Sequence, residues 1–222
     1  MTQSKIKSVV AMLVILGAVA FLYVSQHPFV PGIDRKPHAA LGEVLAQETI
    51  KLLGTGGHVI AVARDTVTFP NPASDAQLEC FQQTLKKAGV KITTTHLLKM
   101  NPIGLMMVPS GDFLEIIKKN TEADVIVSFL GPPALTDEQF AKLGDKHPKI
   151  VAVCSGEMPA RLNLKPMFDE KLLQVAVLSR KNPSPRSASG GPREQFDQWF
   201  WLATPANLAD LPAPAVRNSR KN

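Results

Sequence analysis

The chain is poor in the residues that usually carry chemistry. It has two cysteines in 222 residues, Cys80 and Cys154. Cys80 falls in a helical pattern and Cys154 in an apolar strand-like run, so both read as small core residues rather than as a bridge. The five histidines (His27, His38, His58, His96, His147) are scattered. None has a ligand spacing such as H-x-x-x-H, and there is no C-x-x-C, so neither a metal nor another cofactor is expected. Gly54-Thr-Gly-Gly57 precedes a strand pattern, whereas a phosphate loop follows a strand and opens a helix. Ser155 lies in Cys154-Ser-Gly-Glu157 rather than in G-x-S-x-G, and no histidine is an evident partner. No catalytic residue is assigned, and an enzyme ranks behind a binding role.

A basic face is also missing. The formal charge is +6, but residues 25–179 carry 16 Lys/Arg and 16 Asp/Glu. The excess sits in Lys5, Lys7 and the stretch from Arg180 onward. A neutral folded body lacks the electrostatic footprint of nucleic-acid binding, so nucleic acid is not an expected partner.

One long hydrophobic run is present. Lys5 and Lys7 precede an apolar stretch from Val9 to Val24. Counted from Ile6 it reaches ~28 Å as a helix, close to the hydrocarbon thickness of a bilayer. No small-x-small cleavage site and no lipoprotein cysteine follow it. The expectation is an uncleaved transmembrane signal anchor over residues 6–24, with the N-terminus cytoplasmic and the remainder extracytoplasmic, in the periplasm or outside the cell.

Beyond the anchor (1–24) the expected divisions are a Pro-rich linker (25–38), an α/β domain (39–180), a flexible loop (181–195), an added edge strand with a short helix (196–212) and a basic disordered tail (213–222). Within the domain, helical and β-branched segments alternate. Residues 39–53 have a helical rhythm with a glycine stop. His58–Ala63, Val90–His96, Asp124–Phe129, Lys149–Cys154 and Leu172–Leu178 read as strands. The helices between them begin at Ser74 or Asp75, at Ser110, at Thr136 with Gln139 as a capping box, and at Met158, the last interrupted by Pro166. Such alternation predicts a single doubly wound, mostly parallel five-stranded sheet with helices on both faces.

The stretch from Leu41 to about Arg180 resembles one lobe of the type I periplasmic binding proteins. The features are Gly56-Gly57 running into His58-Val-Ile-Ala-Val-Ala63, the helix Gln77-Leu-Glu-Cys-Phe-Gln-Gln-Thr-Leu-Lys-Lys-Ala-Gly89, Ala123-Asp-Val-Ile-Val-Ser-Phe129, and Lys149-Ile-Val-Ala-Val-Cys154 followed by Ser155-Gly156. Family members have two such lobes and hold a small ligand between them. This chain has length for one, so the resemblance implies the fold more than ligand capture. A second copy or another protein would have to supply the facing half.

In an open parallel sheet the crevice lies beyond the carboxyl ends of the strands. The candidate ligand-binding residues there are Arg64, Asp65, Thr66, Phe129, Gly131, Ser155, Gly156 and Glu157. Arg64 offers a bidentate donor, and the carboxylates can accept from a sugar or an amine. Leu97–Pro109 is long and apolar for a βα loop, and its Met100, Met106 and Met107 are candidates for contact with a partner. The expected function is a membrane-anchored binding domain for a small polar ligand or an envelope protein. The alternative is a structural or assembly component of the envelope, with or without a second copy of the chain.

Overall fold

The structure, a computed structural model, describes residues 3–26, 32–54, 56–100, 107–144, 146–156, 158, 162–183 and 190–211. Two compact units separate at Ile33/Asp34. The first is one helix, α1 (Gln3–Gln26). Its side chains are described from Met12 to Tyr23, and every one of them is exposed. Among the described residues no helix is long and apolar enough to cross a membrane. The stretch expected as a transmembrane segment is helical.

The second unit opens with α2 (Arg35–Leu53), which begins inside the stretch expected as linker. Asp34 caps it, accepting from the Lys36 amide at 3.0 Å. Then follow β1 (Val59–Arg64), α3 (Pro72–Lys87), β2 (Ile92–Leu98), α4 (Ser110–Lys119), β3 (Val125–Ser128), α5 (Asp137–Ala141), β4 (Lys149–Cys154), α6 (Leu164–Asp169), β5 (Leu173–Ser179), α7 (Pro192–Trp199), β6 (Phe200–Ala203) and a 3₁₀ helix (Pro205–Asp210). The capping box at Thr136 and Gln139 is present.

The sheet has six strands, not the five expected, in the order β2-β1-β3-β4-β5-β6. β1 to β5 are parallel, and β6 pairs antiparallel to β5, with Leu178 opposite Trp201. Part of the stretch expected as loop and part of that expected as edge strand form α7. Its start is set by Gly191 and Pro192, whose missing N–H costs nothing in the first turn.

Strand alternation sends successive side chains to two cores. Ile60, Val62, Ile126, Ile150, Ala152 and Cys154 face α4 and α6, against Phe113, Ile116, Ile117, Leu164 and Phe168. Val59, Ala61, Val125, Val127, Val151 and Val153 face the other way, where Leu41, Val44 and Leu45 of α2, Phe81 and Leu85 of α3 and Phe196 of α7 meet them. Being covered on both faces is why the central strands are near-continuous apolar runs rich in Val and Ile. Trp199 packs on the second core and Trp201 on the first, giving the edge its cover.

The two thiols are free. Cys154 belongs to the α4/α6 core, while Cys80 lies on α3, across the sheet. Burial pushes the Cys154 thiol up to about 12. Burial also lowers the basicity of His38, whose Nδ1 lies 3.2 Å from Gln77 Nε2, and of His96, whose Nε2 lies 3.3 Å from Asn120 Nδ2.

Candidate functional site

The chain runs from β1 through α3 to β2 on one side of β1, then through α4 to β3 on its other side. The two connections cover opposite faces. A crevice therefore opens beyond the carboxyl ends of β1 and β3, the switch point of the strand order. A cavity of about 120 Å³ lies there, and Arg64, Asp65, Thr66, Asp75, Leu97 and Phe129 are among its lining residues.

The local chemistry fixes this wall. The Asp65 amide donates to the Leu98 carbonyl at 2.8 Å, extending the β1–β2 pairing by one bond. Asp65 Oδ1 accepts from the Val67 amide at 3.0 Å, which folds the loop back on itself as an Asx turn. Thr66 Oγ1 donates to Asp75 Oδ1 at 2.6 Å and so ties the loop to the first turn of α3. That turn is capped by Asn71, whose Oδ1 accepts from the Ser74 amide at 3.0 Å. A carboxylate there is also favoured by the helix dipole. The Phe129 amide donates to the Val62 carbonyl at 2.9 Å. Its ring stands edge-on to Phe81, with centroids 5.4 Å apart.

Among the described residues Arg64 is the single cation in the lining, beside the carboxylates of Asp65 and Asp75 and the hydroxyls of Thr66 and Ser74. Phe129, Leu78 and Leu97 supply an apolar floor. A few convergent donors and acceptors over an apolar surface are the composition of small-molecule sites in general.

The structure thus brings four of the eight expected ligand residues, Arg64, Asp65, Thr66 and Phe129, to one cavity. Gly131, Ser155 and Gly156 do not line it. Gly131 has φ +90°, and a Cβ built there would sit 2.5 Å from the Met158 sulfur. Ser155 and Gly156 are exposed, and the Ser155 carbonyl accepts from the Met158 amide at 3.3 Å. Glu157 and Met106 lie outside the described residues. Met100 and Met107 are half-buried and pack on the α4/α6 core of their own domain. Among the described residues no three His, Cys, Asp or Glu side chains gather as metal ligands would.

Asp75, expected only as a helix cap, and Leu97, expected only at the start of the long apolar segment, were not foreseen at the rim. The available signal was the helix cap near Ser74, because a helix that follows a parallel strand starts at the same rim where the strand ends. A second, larger cavity of about 470 Å³ was not foreseen either. It lies between α5 and α6, lined by Leu135, Phe140, Leu162, Pro166 and Met167 with Asp137 and Glu170, and it shares no residue with the rim cavity.

No family model matches the sequence, and no curated protein matches it. Solved structures do match. A carbohydrate-transporter solute-binding protein of Agrobacterium radiobacter, in complex with D-arabinose, is 13% identical with a TM-score of 0.51, over 80% of this chain and 61% of that one. AraP, an arabinose-binding protein of Geobacillus stearothermophilus, is 14% identical with a TM-score of 0.53, over 79% and 63%. A solute-binding protein of Burkholderia graminis, also with D-arabinose, is 13% identical with a TM-score of 0.53, over 78% and 61%. The chain spans about three fifths of the length of these proteins. Identity this low speaks to architecture alone: the α/β domain shares its fold with these solute-binding proteins.

Proposed function

We propose that the domain binds a small polyhydroxylated solute, of the sugar class, with the β1/β3 rim as one wall of the site. The observation that carries this reading is the switch-point cavity, where Arg64, Asp65, Thr66 and Phe129 converge in a fold shared with sugar-binding proteins. Arg64 would hold a ring or hydroxyl oxygen, the Asp65 and Thr66 edge would exchange hydrogen bonds with hydroxyls, and Phe129 would take an apolar sugar face. A cavity of about 120 Å³ cannot enclose a sugar. In this reading the opposite wall comes from a second copy or an envelope protein, with Ser155, Gly156 and Glu157 along the outer rim.

Isothermal titration of the full chain in detergent, against a panel of pentoses and hexoses, tests the reading. At least one should bind, and Arg64→Ala should weaken it about tenfold or more, the worth of one charge-assisted hydrogen bond. Affinity unchanged in Arg64→Ala removes the rim as the site, and a panel in which nothing binds leaves a purely structural envelope role as the better reading.

We further infer that residues 6–24 hold the chain in the membrane with the domain on the extracytoplasmic side. The support is the Lys5/Lys7 start and the apolar side chains of α1, which are exposed throughout Met12–Tyr23. Alkaline carbonate washing of membranes should leave the full chain in the pellet and release a chain lacking residues 1–24. Release of both would end the anchor proposal.

A further inference from the structure

The sheet ends at β2, and this edge is unlike the interior. None of its residues is fully buried, with Thr93, Thr94 and Leu97 open to solvent and Leu97 at 52% exposure. The Leu98 carbonyl accepts from Asp65 and so points toward β1. Backbone groups alternate sides along a strand. The N–H and C=O of Thr95 and Leu97 therefore point away from β1, out of the sheet. Among the described residues no further strand lies beyond β2.

Charge surrounds this edge asymmetrically. Residues 86–99 and 115–122, which form the end of α3, β2 itself and the end of α4 with its turn, carry six lysines (Lys86, Lys87, Lys91, Lys99, Lys118, Lys119) and two glutamates (Glu115, Glu122). α3 and α4 cover opposite faces of the sheet, so the lysines flank the edge from both sides. Among the described residues only Lys119 is paired, with Glu115 at 3.7 Å. The helix-dipole effect accounts for lysines in the last turns of α3 and α4. It does not account for Lys91 and Lys99, which bracket the strand.

We propose that β2 is a docking edge for an extended acidic polypeptide segment, which adds as a seventh strand. The Thr95 and Leu97 backbone groups give the hydrogen bonds, the Thr93–Thr95 run gives a β-branched neighbour, and the lysines select negative charge. A second copy of the chain fits poorly, because two such edges would bring the same lysines face to face. This inference does not rest on the sugar reading, although Leu97 also borders the rim cavity.

The probe is a fluorescein-labelled peptide alternating valine and threonine, with two aspartates at each end, titrated by anisotropy against the full chain in detergent at low salt. It should bind, and its lysine-ended counterpart should not. Thr95→Pro removes an outward N–H, a change that edge strands tolerate, and should weaken binding about tenfold or more. The double variant Lys91→Glu, Lys118→Glu alters only exposed side chains and should weaken it similarly, so the test holds even if Thr95→Pro perturbs the fold. Failure of the acidic peptide to bind overturns the proposal. So does equal binding by the charge-reversed variant, or full competition by polyglutamate, which has the charge without the strand. A dimer in sedimentation that Thr95→Pro dissolves would assign the edge to a second copy and overturn it likewise.

Discussion

Phe81→Ala should lower the thermal midpoint of the domain by about 10 °C. The ring is fully buried on α3, within the core shared by α2 and the sheet. Truncating a buried phenylalanine costs about 3–5 kcal/mol, the transfer of the ring plus the void it leaves. Each kcal/mol moves the midpoint of a domain this size by about 2–4 °C. The same ring supports Phe129 edge-on at 5.4 Å, so its loss also frees one wall of the rim cavity. Any solute that the rim holds should then bind more weakly in Phe81→Ala, whereas Phe113→Ala, on the opposite face, should cost similar stability with less effect on binding. Differential scanning calorimetry with titration of both variants checks this. A midpoint within about 2 °C of the parent would show that the α3 face does not carry the core as described.

Gly42→Leu should be comparably damaging. Gly42 is buried on α2 where that helix crosses α3. A Cβ built there would overlap the Gln77 carbonyl oxygen and sit 3.0 Å from the Phe81 amide nitrogen. In an open helix, replacing glycine by alanine gains about 1 kcal/mol. Here the obstacle is backbone, which cannot rotate away, so steric strain outweighs propensity. Overpacking of this kind costs about 1–3 kcal/mol, and leucine falls at the upper end. Urea unfolding should give a lower midpoint for Gly42→Ala and a still lower one for Gly42→Leu. An unchanged or raised midpoint for alanine would mean that the helices are spaced more widely than described.

How far the sequence carries differs by element, for physical reasons. β1, β3 and β4 are legible because burial on both faces leaves a near-continuous apolar run rich in Val and Ile. α4 is legible from Phe113, Ile116 and Ile117, all of which are buried. The region before Trp199 is not, because its aromatic density masks a helix start whose cue, Gly191-Pro192 with Glu194 in the first turn, is purely local. Four rim residues are legible because a strand's end marks the rim. Asp75 is not, since its place beside Thr66 depends on how α3 leans on β1. Nor is the edge position of β2, since a threonine run fits a half-covered strand as well as an exposed one. The methionines near residue 100 signal adaptable surface by composition, but Met100 and Met107 are turned inward.

Cys80 and Cys154 stand on opposite sides of an unbroken sheet. No covalent link between them can form without tearing the domain apart. Its endurance therefore owes nothing to an oxidising milieu, and the same polypeptide should assemble identically among cellular reductants and beyond them.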